Sequence, residues 1–390
     1  MSAPAASTDL VTTHQKSTLS QLLIGRLSRV TSGGRFVPCV DGLRCVAILA
    51  VVVYHLSGYV VAKNTGFTEA EARETWTFHL LHGANCGVQL FFAISGFILA
   101  LPFAREHLDG QSRVSLKHYY LRRLTRLEPP FLINLIIVCG LLIVVSKKNV
   151  SELAGPLIAT MTYTHNWIYG AISTINGVTW SLEIEVQFYL LAPFLARWYF
   201  RTPSTRRRLA AVATIALWIL AKTLVPVDGS LRLRLGLLYS LDHFLTGIVI
   251  ADLFIHSWHE APRKHFFWDA VAALAVPTLF LSQLRADTQH LLPGITALLF
   301  VSAFRGPVTN RLLSVPLVVV TGGMCYSIYL YHFFAISFLG RVTMPLTAGS
   351  GYLWQMFAQA CIIVPLTVVV CAVFFVLIER PFMKWRPAAA

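Results

Sequence analysis

Charged residues are scarce in this chain. Of its 390 residues, 13% are Asp, Glu, Lys or Arg, whereas 56% are hydrophobic. Ordinary soluble domains carry about 25% charged residues, so the composition excludes a typical water-soluble globule. Apolar runs of about 17–25 residues, the length that crosses a hydrocarbon core, recur along the chain instead.

Metal-binding and redox patterns are also missing. The seven cysteines are scattered, mostly within apolar runs, with no C-x-x-C pair and no Cys/His metal spacing. His79 and His82 lie three positions apart but have no acidic or Cys neighbour, so we expect no metal. No internal repeat and no Pro/Gly/Ser-rich linker divides the chain, which predicts a single membrane domain.

The apolar runs predict an all-α polytopic membrane protein with about ten transmembrane helices. Their approximate spans are 44–62, 86–104, 131–146, 181–199, 209–226, 237–255, 267–283, 289–304, 315–338 and 356–378. Most of the 32 lysines and arginines fall on one side of these spans. The positive-inside rule then places both termini in the cytoplasm.

The net charge of +14 fits cytoplasmic loops better than a nucleic-acid partner, because the basic residues follow the predicted topology. Residues 1–38 are polar and lack the apolar stretch of a cleavable signal peptide, which predicts a retained cytoplasmic arm with a short amphipathic helix near 19–27. Residues 39–386 form the predicted membrane domain, and 387–390 a short tail.

Ionisable residues inside membrane spans are costly and therefore mark candidate functional sites. The predicted spans contain Arg44, His55, Glu183, Glu185, Asp242, His243 and His332. Arg44 and His55 are 11 positions apart, so they lie on one helix face about 16 Å from each other. The same helix face thus joins the cytoplasmic edge to an imidazole in the outer half.

An imidazole in that position can remove a proton from an acceptor hydroxyl. Glu185 and His332 are predicted at the same depth as His55, and a carboxylate bonded to one ring nitrogen would fix the imidazole tautomer, so Glu185 is assigned this supporting role. Glu183 and Ser181 equally suit the first turn of a helix, where acceptors and negative charge are favourable.

The predicted cytoplasmic loop before Pro130 carries Arg123 and Arg126 one helical turn apart, a spacing that suits phosphate binding by guanidinium groups. Simple positive-inside charge explains either arginine as well. Arg44 follows Asp41, a candidate helix cap, in a first turn where the helix dipole disfavours a cation. Either a positive-inside flank or an anionic ligand would account for Arg44.

Aromatic residues are concentrated in the predicted outside segment 147–180. They could stack on a sugar acceptor, but an interfacial belt at headgroup depth explains the same composition.

Six segments in order resemble the acyltransferase-3 family of bacterial membrane O-acyltransferases over about residues 37–382. They are DGLRCVAILAVVVYH, GVQLFFAISGFI, LRRLTRLEPP, TWSLEIEVQFY, YSIYLYHFF and IERP. By this resemblance, an Arg/Lys-x10-His pattern falls on Arg44 and His55, and Arg-x-x-Arg falls on Arg123 and Arg126. Many members have Glu-Glu where this chain has Glu185-Val186, and an acidic residue where Gln89 stands.

The resemblance implies a multi-pass protein of the plasma or inner membrane that moves an acyl group from cytoplasmic acyl-CoA, commonly acetyl-CoA, to a hydroxyl on a surface glycan or glycolipid. Arg44, Arg123 and Arg126 would hold CoA, and His55 with Glu185 would be catalytic. Direct transfer and transient acylation of His55 both remain open. Expected substrate-binding residues are Trp180, Ser181, Tyr189 and His332. A secondary transporter of a small anionic or polar solute is the alternative.

Overall fold

A computed structural model describes residues 25–30, 36–224, 230–284 and 288–384. These residues form helices and turns, without a strand. The helices are α1 (Pro38–Lys63), α2 (Glu69–Arg73), α3 (Trp76–Gly83), α4 (Gly87–Leu108), α5 (Leu116–Val144), α6 (Val150–Met161), α7 (His165–Tyr169), α8 (Trp180–Arg201), α9 (Ser204–Leu224), α10 (Leu231–Arg234), α11 (Leu237–Asp252), α12 (Phe267–Leu281), α13 (Leu292–Arg305), α14 (Pro307–Leu313), α15 (Pro316–Gly323), α16 (Cys325–Thr343), α17 (Tyr352–Phe374) and α18 (Arg380–Lys384).

Each of the ten predicted spans overlaps one or more of these helices. By length and composition, five helical segments of the described chain can cross a membrane: Pro38–Lys63, Trp76–Leu108, Leu116–Val144, Leu231–Ser257 and Tyr352–Met383. The number rises to seven if two bent helix pairs each count as one span. The chain is thus an all-α protein with several candidate membrane helices, while the count of ten and the N-in, C-in orientation stay predictions.

Two helix starts differ from the sequence predictions. α1 begins at Pro38, whose fixed φ suits a first helical position, and Val37 is its N-cap. Asp41 therefore lies inside the first turn and does not cap the helix. α5 begins at Leu116, about four turns before the predicted apolar span, so Arg123 and Arg126 belong to a continuous helix and not to a loop. Residues 19–24, where most of the expected amphipathic helix falls, and 387–390 lie outside the described residues.

The predicted span 315–338 is broken in two. α15 and α16 meet at an angle of 76° around Met324. Gly322 lies directly against the backbone carbonyl of Asp41, where any Cβ would collide. This contact brings the N-terminus of α16 against the first turns of α1.

α1 joins the two hydrophobic cores. Leu43 and Ala47 pack into one core, with side chains from α4, α8, α11 and α13. Ile48, Val52 and Leu56 pack into the other, with side chains from α5, α16 and α17. Because α1 lies between both cores, the polar residues on its remaining face point into the middle of the helix bundle.

Small residues hold α4 against α11. Gly96 on α4 touches the Phe244 carbonyl, and Gly247 on α11 touches the Ala93 carbonyl. Such close backbone approach is typical of helix pairs in membranes, where small residues replace the hydrophobic driving force that acts in water. The pair fixes the position of Ser95, which precedes Gly96.

The segment after α5 folds back along that helix. α6 has 12 residues, about 18 Å, which is too short to cross a core of about 30 Å. Tyr163, with a left-handed φ of 56°, donates a hydrogen bond of 2.7 Å to Glu128 and stacks on Phe131. Glu128 lies 16 residues, about 24 Å, before the end of α5 at Val144. Part of the predicted outside segment 147–180 is therefore packed against α5 and is not a simple surface loop.

Candidate functional site

A pair of histidines lies between α1 and α16. Nδ1 of His55 is 3.1 Å from Nε2 of His332, and it is also 3.0 Å from the Val51 carbonyl. Nδ1 of His332 is 2.9 Å from the carbonyls of both Ile328 and Tyr329. His332 is fully buried, whereas His55 is only partly so. The structure thus brings two of the residues predicted at one depth into direct contact.

Glu185 has other partners than the one expected. Its carboxylate accepts short hydrogen bonds from the Ser95 hydroxyl on α4 and from the Tyr189 hydroxyl one turn along α8. It makes no hydrogen bond to His55 among the described residues. Two residues at equal depth in the membrane are neighbours only if their helices turn the corresponding sides towards each other. In this protein, His332 and not Glu185 lies next to His55.

Arg44 lies in a group of charged side chains at the other end of the same helix face. The guanidiniums of Arg29 and Arg44 both bind Asp41, whose carboxylate is fully buried, at 2.7 Å and 3.1 Å. Arg126 is near enough to act electrostatically on Arg29. We call Arg29, Arg44 and Arg126 the arginine cluster. Burial and the neighbouring cations lower the pKa of Arg29 to about 10, which leaves it charged near neutral pH.

Some polar atoms in this region have no partner within the described parts of the chain. Nε of Arg126 and Oε1 of Glu379 are among them. The other oxygen of Glu379 accepts from the backbone N–H and the hydroxyl of Ser327, at 3.0 Å and 2.7 Å. Ser327 lies in the first turn of α16, so Glu379 occupies the electropositive N-terminus of that helix.

Arg123 is arranged differently from Arg126. Its guanidinium stacks on the Tyr119 ring at 3.8 Å and donates to the Tyr119 carbonyl at 3.1 Å. It also lies 5.9 Å from the ring centre of Tyr189. A side chain held this way supports the wall of the site and borders Tyr189.

Among the expected substrate residues of α8, Ser181 contacts α16. The Ser181 hydroxyl is 3.0 Å from the Tyr329 hydroxyl, which in turn donates to the Val178 carbonyl. Trp180 is partly buried against the first hydrophobic core. Tyr189 is partly buried and joined to Glu185. Ser181 thus joins α8 to the Tyr329 side chain of α16, while His332 on α16 contacts His55 on α1.

Glu183 has a structural partner. Its carboxylate accepts from the backbone N–H of Asn166 at 3.1 Å and so caps the start of α7. The exposed Trp167 and Tyr169 follow on the same short helix. Both explanations of those aromatics, sugar stacking and an interfacial belt, remain open.

Three residues of the site were not selected from the sequence: Arg29, Ser95 and Glu379. A lone carboxylate that ends a long apolar run is a signal for an intramembrane functional residue, and Glu379 fits it. Arg29 and Ser95 carry no comparable signal, because one precedes the first span and the other is a common residue in membrane helices. Within the described residues, no group of three or more His, Cys, Asp and Glu side chains is arranged to hold a metal.

A family model described as an acyltransferase domain matches residues 37–376. The chain is 26% identical over 389 residues to a protein of Staphylococcus aureus (strain COL) provisionally named an O-acetyltransferase, covering 91% of this chain and 59% of the relative. It is 25% identical over 335 residues to O-acetyltransferase OatA of Staphylococcus aureus (strain NCTC 8325 / PS 47), covering 78% and 51%. It is 29% identical over 170 residues to peptidoglycan O-acetyltransferase OatA of Listeria monocytogenes serovar 1/2a (strain ATCC BAA-679 / EGD-e), covering 41% and 24%.

No solved structure matches the chain. The chain spans about three fifths of the length of the first of these relatives.

Proposed function

Since the chain belongs to the acyltransferase-3 family and is an acyltransferase, we propose that it moves an acyl group from cytoplasmic acyl-CoA to a hydroxyl of an acceptor on the other side of the membrane. One observation carries this proposal. A single helix, α1, has Arg44 in the arginine cluster at one end of a face and His55 beside His332 at the other end. A donor site and an acceptor site therefore share one helix.

The arginine cluster is the proposed site of the CoA phosphates. Guanidinium groups present forks of donors that match phosphate oxygens. Nε of Arg126 has no partner among the described residues, so it is able to donate to a phosphate oxygen. Arg123, held on Tyr119, completes the wall next to it. From there the long pantetheine arm of CoA can carry the thioester along α1 towards His55.

His55 is the proposed general base. Its Nε2 takes the proton of the acceptor hydroxyl while the oxygen attacks the thioester carbonyl. The C–S bond then breaks, and the imidazolium returns the proton to the departing CoA thiolate, so that atoms and charge balance. Transient acylation of His55 would instead split the transfer into two steps and give ping-pong kinetics.

Glu185 is proposed to act at the boundary between the two halves of the site. Its carboxylate fixes Ser95 on α4 and Tyr189 on α8, and it lies near enough to Arg44 to interact electrostatically. It thereby holds the walls of the passage for the thioester. Trp180, Ser181 and Tyr189 are proposed to border the reacting groups.

The names of the relatives support an acetyl group and a carbohydrate acceptor. One relative is named a peptidoglycan O-acetyltransferase and another an O-acetyltransferase. We therefore propose that the protein lies in the plasma membrane, takes the acetyl group from acetyl-CoA and transfers it to a cell-surface polysaccharide. This proposal agrees with the names of the relatives and with a site that has a donor end and an acceptor end. The alternative of a secondary transporter predicts solute movement without release of CoA.

The test is acetyl transfer in oriented membrane vesicles that receive labelled acetyl-CoA on the cytoplasmic side and envelope carbohydrate on the other. The His55→Ala protein is expected to lose transfer by about 10²–10⁴-fold, which is the usual contribution of general acid–base catalysis. His79→Ala is the matched control, because His79 is an exposed histidine outside the site.

Equal transfer by wild type and His55→Ala at equal expression would refute the assignment of His55. Uptake of a solute by the vesicles, with no CoA thiol released from any acyl-CoA supplied, would instead favour the transporter.

A further inference from the structure

The hydrogen-bond partners of His332 determine where its proton lies. Nδ1 of His332 faces the carbonyl oxygens of Ile328 and Tyr329, each at 2.9 Å. A carbonyl only accepts hydrogen bonds, so Nδ1 must carry the N–H. In the neutral ring, Nε2 of His332 is then an acceptor with a free lone pair.

The hydrogen-bond partners of His55 determine in the same way which of its ring nitrogens carries the proton. Its Nδ1 lies 3.1 Å from Nε2 of His332 and 3.0 Å from the Val51 carbonyl oxygen. Both neighbours are acceptors, so Nδ1 of His55 must also carry the N–H. Nε2 of His55 is then unprotonated, and no described residue forms a hydrogen bond with it.

A protonated His332 is unfavourable in this position. The ring is fully buried, and no carboxylate forms a hydrogen bond or salt bridge with it among the described residues. A buried charge without such a partner is costly. If Nε2 of His332 did carry a proton, the lone pair on Nδ1 of His55 would face the Val51 carbonyl, and two acceptors would oppose each other.

We infer that His332 is a positioning residue that fixes the tautomer of His55, leaving Nε2 of His55 free to take the proton of the acceptor. This inference rests on the proposed role of His55 in transfer. It gives His332 the function that a carboxylate has in Ser-His-Asp triads, where the wrong tautomer lowers kcat by about 10⁴. Here the Val51 carbonyl favours the same tautomer, so losing His332 alone is expected to lower kcat by less, about 10–100-fold.

Two amide variants separate the hydrogen bonds of His332. In His332→Gln, the longer side chain places an amide oxygen near the former Nε2, where it can still accept from His55. In His332→Asn, the shorter side chain can still donate to the carbonyls but does not reach His55. We expect kcat to fall in His332→Asn and in His332→Leu but to be retained largely in His332→Gln, with the KM values for donor and acceptor within about twofold of wild type.

This pattern distinguishes positioning from a structural role. A merely structural residue would lower the amount of folded protein in all three variants, without a change in kcat per folded molecule. Size-exclusion profiles and thermal unfolding in detergent supply that normalisation. Equal kcat per folded molecule in all variants would overturn the inference.

The tautomer can also be observed without any reaction. In protein labelled with ¹⁵N-histidine, the signals absent from a His55→Gln sample belong to His55. We expect a protonated Nδ1 and an unprotonated Nε2 for His55 in the wild type, and a mixture of both tautomers in His332→Asn. A protonated Nε2 in the wild type would overturn the inference and leave the acyltransferase proposal standing. Undiminished transfer by His55→Ala would refute that proposal, and with it the positioning role.

Discussion

Two groups of buried charged side chains in this protein differ in how completely their hydrogen-bonding atoms are paired. Around Asp252, at the end of α11, Arg207 and Arg208 each donate two hydrogen bonds to the carboxylate, and the Tyr199 hydroxyl adds another. Around the arginine cluster, Asp41 is shared by Arg29 and Arg44. Arg126 and Glu379, in the same region, each have one atom without a partner in the part of the chain that the structure describes.

This difference in pairing suggests a structural role for the Asp252 group and a ligand-binding role for the arginine cluster. A buried carboxylate whose two oxygens are both bonded to guanidiniums has little capacity left for a ligand, so the Asp252 group joins α8, α9 and α11. Buried polar atoms without partners cost free energy, which a bound ligand can offset by supplying the missing bond. In the proposed function, an anion therefore stabilises the arginine cluster but not the Asp252 group.

The largest effect is expected on stability, from Asp252→Asn. Neutralising this carboxylate leaves two arginines without their counter-charge, and breaking a buried pair in this way costs about 3–5 kcal/mol. Thermal unfolding in detergent should show a clear loss of stability, while transfer per folded molecule stays near wild type. Asp109→Asn, at an exposed helix end, is the control and should change the free energy of unfolding by less than about 0.5 kcal/mol. Loss of transfer without loss of stability would place Asp252 in the site and end the comparison.

The next largest effect is expected on donor binding, from Arg126→Gln. Hydrogen bonds to charged groups are worth about 1.5–3 kcal/mol, so KM for acyl-CoA should rise about tenfold or more. The KM for the acceptor should not change, because the acceptor binds near His55. The measurement is initial-rate kinetics with each substrate varied in turn.

Arg122→Gln is the matched control for that experiment. Arg122 lies on the same helix, one turn before Arg126, but its side chain is exposed. Its substitution should leave KM for acyl-CoA within about twofold of wild type. Equal effects of both substitutions would mean that general positive charge, and not the partly buried Arg126, attracts the donor.

The long helices of this fold could be predicted from sequence, because runs of apolar residues long enough to cross a membrane have few alternatives to the helix. The short helices α2, α3, α6 and α7 lie outside the predicted spans. The spacing of Arg44 and His55 likewise predicted a shared face. The contact between α1 and α16 could not be predicted, since periodicity shows which face of a helix is polar but not which other helix meets it. His332 is 277 positions from His55. The break at Met324 interrupts one apolar run, in which only Gly322 and Gly323 mark it.

The partners of Glu185 could not be predicted for the same reason. Its depth suggested His55 as a partner, yet rotation about the helix axis directs the carboxylate to Ser95 and Tyr189. For Arg123 and Arg126 the Arg-x-x-Arg spacing predicted the same role. Only the packing of their side chains in the structure distinguishes them. The guanidinium of Arg123 stacks on Tyr119, whereas Nε of Arg126 has no partner within the described ranges.

The smallest effect is expected from Glu379→Gln, which tests whether Glu379 takes part in donor binding together with the arginine cluster. Glu379→Gln keeps an oxygen that can accept from Ser327, so the start of α16 should remain capped and the stability should change little. In its ionised form Glu379 carries a negative charge near Arg126 and Arg44, which the substitution removes. Weaker competition for these cations should lower KM for acyl-CoA by roughly two- to fivefold, less so at high salt.

The control is Glu74→Gln, an exposed carboxylate far along the chain from the cluster, which should leave KM unchanged. A fall in KM for Glu379→Gln would mean that this carboxylate competes with the anionic donor for the N-terminus of α16 and for the arginines. A large loss of stability with unchanged KM would instead show that Glu379 is a structural counter-charge like Asp252. The free oxygen of a buried carboxylate would then be no guide to ligand binding in this bundle, and the case for the arginine cluster would rest on Arg126 alone.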